Sequence, residues 1–428
     1  MKKPELYRGL GRFDVIALCV NSVVGAGVFA MPAGLAIDAG RYSLAVIFAA
    51  FVVVGLMALT LAEVASRYDV TGGPQYYAQV TFGPVTGFTV GWLFVLSSLA
   101  STALIAQVML DYAAALWPAL AAPWPRAVVV TVSTIFLAVI NIRGVTRGAW
   151  IGNLLTIAKM LPLGLIALAG LWFAGWNDIP ATDPRGPDGL SGALQIAIFA
   201  CVGFHVAAVV AGEMRDPRRD LPVSILGGLA IACLLYLLLM LACFGVLPDT
   251  AASALPLVDV AKAFVGPVGA TLMATAAVVS CAGGLAVQVL VGPRYVFALG
   301  EARDLPPAIV GVHGSFRTPH VAIIVYSALS WLLTITGTFK YLLALFVISR
   351  MLAHGSTAAA LIALRRREGR APVHIPGGNV MSVLALLACA AIVATASFQA
   401  VRDVAIALVA GFAIRTWVRW AAARRRIS

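Results

Sequence analysis

Two short stretches decide how this chain folds: VVGAGVFAMP at residues 23–32 and FACVGFH at residues 199–205. Each places glycine and other small residues near the middle of a long apolar run, where a helix would otherwise continue. Glycine permits the backbone to leave the helix, and backbone N–H and C=O groups that are freed in this way are costly to leave unpaired in hydrocarbon. We therefore expect both stretches to line a cavity or to contact a ligand.

The rest of the chain has the composition of a membrane protein. Of its 428 residues, 61% are hydrophobic and 11% are charged, whereas soluble domains have about 45–50% apolar and about 25% charged residues. These values exclude soluble domains, disorder and disulfide-rich scaffolds. The net charge is +12, but binding of nucleic acid would need a basic face on a soluble module, and none is visible in the sequence. We therefore expect no nucleic-acid partner. The six cysteines lie in or beside apolar runs without a CxxC pair, which is typical of buried apolar residues and predicts no metal site.

Apolar runs bounded by charges, Gly/Pro or polar clusters predict an all-α polytopic membrane protein with about twelve transmembrane helices. The expected spans are residues 13–37, 42–66, 84–116, 126–142, 149–174, 190–213, 222–246, 268–298, 319–338, 340–364, 380–398 and 401–420. We expect no cleaved signal peptide, because the first apolar run continues through the glycine-rich stretch.

The positions of the basic residues support this topology. With the N-terminus in the cytoplasm and each span crossing once, most Lys and Arg residues fall on the cytoplasmic side, as the positive-inside rule requires. The residues left outside are Arg41, Arg126, Arg185, Lys262, Lys340 and Arg402. Lys159 and Arg350 remain within the membrane. We expect a multi-pass protein of a bacterial inner (plasma) membrane with both termini cytoplasmic.

The two glycine-containing stretches occupy corresponding positions if spans 1–5 and 6–10 are inverted structural repeats. The predicted organisation is a first repeat at 1–174, a second at 175–364 and two additional spans at 365–428. A broken helix offers its positive N-terminal end to an anion and its negative C-terminal end to a cation. Two such breaks therefore suit a zwitterion. The alternative is that the glycines serve only close helix packing.

Several segments resemble the amino acid–polyamine–organocation (APC) superfamily of secondary transporters. They are GAGVFAMP (25–32), AEVASRYDVTGGPQYYAQVTFG (62–83), GNLLTIAKMLPL (152–163), FACVGFHVAAVVAGEMRDPRRDLPVSI (199–225) and GPRYVFALGEARDLP (292–306). The resemblance implies a five-plus-five inverted-repeat fold with broken helices 1 and 6. It also implies transport of amino acids or amines by alternating access, without enzymatic activity and without a cofactor.

The resemblance further implies a substrate site formed by both breaks. The first break would hold the carboxylate and part of the ammonium of an amino acid, and the second would complete the ammonium site and begin the side-chain pocket. Phe199 would close over the substrate, although a packing or lipid-facing role stays open for it. The predicted substrate-binding residues are Val24, Gly25, Ala26, Gly27, Val28, Phe199, Cys201, Val202, Gly203, Phe204 and His205.

Two titratable residues bear on coupling. His205 stands where the superfamily usually has Glu, and it is either a proton acceptor or helix tether, which titrates near neutral pH, or a satisfied core histidine. Lys159 lies in the middle of span 5, where an ammonium group has a high free-energy cost because it is removed from water. In proton-coupled relatives a lysine in this span replaces a bound sodium ion and bridges to span 1 and span 8. A static structural pairing of Lys159 is the alternative.

Other polar residues within the spans leave alternatives open. We expect Glu63 to pair with Arg67 one turn later. Gln107 and Asp111 either reach the substrate or bridge helices. Arg350, one turn before His354 on one helix face, is predicted to lie near the cytoplasmic exit.

The sequence thus predicts a proton-coupled transporter of neutral, small or apolar amino acids, because the break region has no carboxylate to pair with a basic substrate side chain. Its expected partners are the amino-acid substrate, protons and the lipid bilayer, while the oligomeric state is not predicted. An exchanger or exporter on the same fold is one alternative. A non-transporting subunit that senses amino acids is another.

Overall fold

The computed structural model describes residues 11–68, 73–144, 148–173, 183–205 and 214–424, with side-chain environments for all of these except 148–158, 173, 217 and 218. Its α-helices are α1 (Arg12–Val23), α2 (Gly27–Asp38), α3 (Ser43–Ala65), α4 (Gly73–Phe82), α5 (Pro84–Leu116), α6 (Pro123–Arg143), α7 (Gly148–Phe173), α8 (Gly186–Cys201), α9 (Pro217–Val246), α10 (Pro256–Glu301), α11 (His320–Thr336), α12 (Phe339–Glu368), α13 (Gly378–Ala394) and α14 (Phe398–Arg424).

Each expected span except the sixth coincides with one of these helices, and span 1 coincides with the pair α1 and α2. α8 covers the first part of span 6, and residues 206–213 lie outside the described residues. Within the described residues, seven helices are long and apolar enough to cross a membrane, and α1 with α2 passes the same test as one bent span. α11, α13 and the described part of α7 are shorter apolar helices. The prediction of an all-α polytopic membrane protein is therefore confirmed.

Two features were absent from the list of expected spans. α4 is a short helix that follows span 2. α10 begins well before the expected span 8, but Gly266 within it has φ 68°, a left-handed conformation that favours glycine. Pro267 follows at once and begins a new helical stretch, since its fixed φ suits a first turn. The apolar part of α10 therefore begins where the sequence predicts span 8.

The chain divides into two compact units. The first unit comprises residues 1–90, 167–254 and 351–395. Within it α1 packs on α9, α9 packs on α3, and α2 and α3 both pack on α8. At one end Arg12 of α1 donates to Asp220 of α9 over 2.7 Å. Both glycine-containing stretches belong to this unit.

The second unit comprises residues 91–166, 255–350 and 396–428. In it α11 packs on α6 and on α10. Tyr326 of α11 is fully buried, and its hydroxyl is 2.8 Å from Ser98 Oγ and 2.7 Å from Thr102 Oγ1 on α5. Asp304, just after α10, accepts hydrogen bonds from two arginines of α14. Lys159 and Arg350 both belong to this unit.

Candidate functional site

The first span is interrupted at the predicted glycines. α1 ends at Val23, α2 begins at Gly27, and the two helices are bent by 51°. Val24 has φ −77° and ψ 79°, the conformation of an inverse γ-turn, and the Gly25 amide donates to the Val23 carbonyl over 2.8 Å. The backbone between Val23 and Gly27 has therefore left the helix.

The beginning of α2 presents backbone donors. The Phe29 and Ala30 amides donate to the Ala26 carbonyl, but the amides of Ala26, Gly27 and Val28 have no backbone acceptor among the described residues. This is the normal condition of a first helical turn, and the helix dipole adds a partial positive charge there. Such a terminus binds carboxylates and other anions.

The sixth span is interrupted as well. α8 ends at Cys201, and Val202 has the extended conformation with φ −77° and ψ 123°. The Val202 amide still donates to the Ile198 carbonyl over 3.1 Å, which closes the last helical turn. Residues 206–213 lie outside the described residues, so the expected second half of this span stays a prediction.

The two interruptions lie directly against each other. A Cβ added to Gly203 would overlap the Ser22 carbonyl and the Val23 amide, and one added to Gly27 would overlap the Ala200 backbone. The backbone of each span therefore contacts the backbone of the other at two points, and only glycine fits at either. By contrast, a Cβ at Gly25 would meet nothing closer than 4.0 Å, so packing does not demand glycine there.

Tyr236 of α9 joins both interruptions. Its hydroxyl lies 3.0 Å from the Val23 carbonyl and 2.9 Å from the Ala200 carbonyl, and the side chain is fully buried. The edge of its ring packs on Phe51, with centroids 5.5 Å apart. Sequence reasoning missed this residue, although a single tyrosine within the apolar run LLYLLLMLACF (234–244) is a signal, because a buried phenol needs a partner.

The structure brings the predicted substrate-binding residues of both stretches together in the first unit. Most of their side chains are buried: those of Val24, Ala26, Val28, Phe199, Cys201 and Phe204, together with the α-carbons of Gly27 and Gly203. Gly25, Val202 and His205 remain partly accessible. Within the two stretches these three residues are therefore the predicted site residues that are not fully buried.

A pair of histidines lies beside the second interruption. The ring of His205 is 6.2 Å from that of His354 on α12, and the Phe204 ring is 5.0 Å from His354. His354 is buried, whereas His205 is partly accessible. The sequence placed His354 with Arg350 and gave no reason to place it beside span 6, since the two histidines are far apart along the chain.

Lys159 and Arg350, the two cations that the sequence predicts within the membrane, are both buried in the second unit. Lys159 on α7 is 8% exposed and Arg350 on α12 is 4% exposed. Burial at this level agrees with their expected positions within the membrane, because a lysine that snorkels to an interface keeps its charged end accessible. The expected bridge from Lys159 to span 1 stays a prediction.

Arg350 has an aromatic environment. Its Cζ lies 4.7 Å from the centroid of the Phe94 ring and 5.5 Å from that of Phe346. Its Nε and Nη1 have no hydrogen-bond partner among the described residues. A desolvated cation–π contact contributes about 2 kcal/mol, whereas removing an ion from water costs several kcal/mol, roughly, even after relaxation. The rings accept no in-plane N–H hydrogen bond, so they leave these two donor groups unsatisfied among the described residues.

Among the described residues of the first unit, Glu63 forms the most extensive ionic cluster. This fully buried carboxylate accepts two hydrogen bonds from Arg365 of α12, at 2.7 and 2.5 Å, and one from the Ile375 amide at 3.0 Å. Arg67, the partner expected from the sequence, lies at 4.0 Å. The main partner of Glu63 is thus a residue far away in sequence, and the cluster joins α3 to the end of α12.

Two polar residues of span 3 bridge helices. Gln107 donates to the Gly337 carbonyl over 2.7 Å, and Arg126 donates to Asp111 over 2.5 Å. Of the two alternatives left open by the sequence, these contacts favour the structural one.

Comparison with known proteins agrees with these features. A family model described as "Amino acid permease" matches residues 10–418. A serine/threonine exchanger of Bacillus subtilis (strain 168) is 28% identical over 396 residues, which cover 89% of this chain and 89% of the relative. A protein of Mycobacterium tuberculosis (strain ATCC 25618 / H37Rv), named only as an uncharacterized transporter, is 28% identical over 409 residues, which cover 94% of this chain and 91% of the relative.

The interrupted first and sixth spans and a family match over nearly the whole length lead to one assignment. This multi-pass membrane protein belongs to the amino acid permease family of the APC superfamily, and it is an amino-acid transporter.

Proposed function

We propose that this permease moves neutral, small or apolar amino acids across a bacterial plasma membrane by alternating access, with both termini in the cytoplasm and with transport linked to protons. The observation that carries the proposal is the backbone contact between the two interruptions, at Gly27 with Ala200 and at Gly203 with Ser22. This contact places the N-terminal end of one half-helix close to the C-terminal ends of two others, which suits a zwitterion.

The substrate carboxylate docks on the amides of Ala26, Gly27 and Val28. Its ammonium binds backbone carbonyls at the ends of α1 and α8. The hydroxyl of Tyr236 lies within hydrogen-bond distance of the Val23 and Ala200 carbonyls, so we assign the ammonium to the carbonyls of Val24, Cys201 and Val202. Val24 and Cys201 are themselves buried, but each carbonyl belongs to the peptide bond that leads to a partly accessible residue, Gly25 or Val202, which supports this assignment.

A neutral substrate side chain follows from the charges of the surrounding helices. The acidic residues of α1, α2 and α8 are Asp14, Asp38 and Asp188, and each lies near a helix end away from the interruptions. Phe204 and Val202 provide an apolar surface at the second break. Phe199 closes over the substrate in the occluded state. The substrates that this arrangement favours are small amino acids without a charged side chain.

Proton coupling is assigned to Lys159, with His205 as a second group that exchanges protons. A buried ammonium can change its protonation during a cycle, and Lys159 is buried on α7. In this proposal the protonation of Lys159 is tied to the conformation of the first span.

Uptake by the purified protein in proteoliposomes tests both parts of the proposal. A panel of radiolabelled amino acids is measured with and without an imposed pH gradient, for the wild type, Lys159→Ala and, as a matched control, Lys262→Ala, which removes an exposed lysine of the same unit. We expect the gradient to accelerate uptake of small neutral amino acids in the wild type and the control only. If Lys159→Ala responds to the gradient as the wild type does, the coupling role is wrong.

An exchanger is the second candidate, and the observation that favours it is the similarity to a serine/threonine exchanger. An exchanger takes up labelled serine or threonine only into vesicles that already contain substrate, whereas a symporter fills empty vesicles when a proton gradient is present. Binding without any flux would instead indicate a sensor.

A further inference from the structure

Arg350 is a buried cation that the proposed transport mechanism does not use. Two of its guanidinium nitrogens lack a hydrogen-bond partner among the described residues, and no described carboxylate oxygen lies within 4.0 Å of it. The rings of Phe94 and Phe346 contact the charge. Aromatic rings interact with the faces of a guanidinium, but its N–H donors point outward in its plane and require acceptors.

The second unit cannot supply an acidic partner from its own sequence. Its acids are Asp111, Asp259, Glu301, Asp304 and Asp403. Each lies near the end of a helix or just beyond it, and Asp111, Asp304 and Asp403 already pair with other arginines. Lys159, which is also buried in this unit, is positive as well. Arg350 therefore has no acidic partner among the described residues of its own unit.

We propose that Arg350 binds the carboxylate of the transported amino acid during one step of the transport cycle. The inference rests on the proposed function, because it takes an amino acid as the transported solute. That solute brings a planar anion into the membrane, and a guanidinium matches a carboxylate with two parallel N–H donors. Arg350 thereby becomes a second carboxylate-binding residue, separate from the amides at the beginning of α2.

The Phe94 ring contacts the guanidinium, but its removal leaves the charge and the planar N–H donors of Arg350 in place. A hydrogen-bonded charge pair and a stacked ring make different demands on the ligand: the pair requires a carboxylate, and the ring does not. A substrate analogue in which a carboxamide replaces the carboxylate, with the amine retained, therefore separates the two contributions.

The experiment measures competition with uptake of a radiolabelled amino acid in proteoliposomes. For each variant, the ratio of the inhibition constants of the carboxamide and of the parent amino acid is determined. We expect this ratio to fall by about 10- to 100-fold in Arg350→Gln and by a smaller factor in Arg350→Lys, which keeps the charge but loses the planar donors. Phe94→Leu should retain the wild-type ratio, and so should Arg402→Gln, which removes an exposed arginine of the same unit.

An unchanged ratio in an active Arg350→Gln or Arg350→Lys protein overturns the inference and indicates a purely structural cation–π role. If Arg350→Gln does not fold, Arg350→Lys compared with Phe94→Leu decides the matter, because equal ratios in these two variants also overturn it. A site for an inorganic anion would instead appear as an unchanged ratio together with a dependence on chloride, relative to gluconate, that Arg350→Lys loses. If the wild type transports no amino acid, the proposed function fails as well.

Discussion

Replacing Tyr236 with Phe removes one hydroxyl group from the point where both interrupted spans meet. The hydroxyl is fully buried and lies within hydrogen-bond distance of two carbonyls. A hydroxyl has one proton, so the loss corresponds to one shared hydrogen bond. The Val23 carbonyl keeps the Gly25 amide as a donor at 2.8 Å. The cost therefore falls mainly on the end of α8 at Ala200.

Leaving a buried acceptor without its donor costs about 1–3 kcal/mol, which corresponds to about 5- to 150-fold in an equilibrium constant. We expect Tyr236→Phe to lower the thermal stability of the protein in detergent. We also expect it to raise the KM for uptake within that range, because the carbonyl groups proposed to bind the ammonium directly follow the two that Tyr236 fixes. The assays are a thermal melt with and without saturating substrate, and initial uptake rates in proteoliposomes.

Tyr326→Phe is the matched control. It removes the same atom from an equally buried tyrosine, whose hydroxyl contacts two side-chain hydroxyls in the second unit. It should lower the melting temperature without raising the KM. If Tyr236→Phe leaves both the melting temperature and the KM at wild-type values, the hydroxyl does not hold the interruptions together and our reasoning about this residue is wrong.

Two further predictions concern packing and charge. Gly27→Ala and Gly203→Ala should each abolish uptake, because a Cβ at either position overlaps backbone of the partner span. Gly55→Ala, which has open space around it, should transport normally. Uptake by either of the first two variants at the wild-type rate would contradict the packing argument. Glu63→Ala should lower the free energy of unfolding by about 3–5 kcal/mol, since it leaves the arginine of its buried pair without a counter-charge. Chemical denaturation in detergent measures this loss. Asp111→Asn, which breaks a surface pair and is expected to cost about 1 kcal/mol or less, is the control. Equal losses of unfolding free energy in the two variants would count against a structural role for Glu63.

The course of the helices was largely predictable because it depends on local sequence. A run of apolar residues must be helical in a membrane, so the limits of span 3 were predicted as 84–116 and were found at Pro84–Leu116. Glycine, proline and small residues likewise marked the interruption between Val23 and Gly27. These features depend on the backbone conformation that the residues at each position favour, which can be read from the local sequence.

The contacts that hold the interruptions were not predictable in the same way. Tyr236 bonds to a carbonyl 213 residues earlier in the chain, and Arg365 bonds to Glu63 across 302 residues. No periodicity links such positions, so the local pairing of Glu63 with Arg67 was the only one that helix geometry could suggest. The contact of Arg350 with Phe94 was missed for the same reason, because Phe94 is on a different helix, whereas Phe346 lies one turn earlier on the helix of Arg350 itself.

The glycine contacts between the interrupted spans have a mechanical consequence. Because backbone contacts backbone at Gly27 and at Gly203, there is no space for one span to slide along the other. In the proposed alternating-access cycle we therefore expect these two spans to move together, and we expect the larger displacements at their contacts with other helices. We therefore expect substitutions on the outer faces of this pair of spans, away from Gly27 and Gly203, to change the rate of turnover without changing which solute is transported.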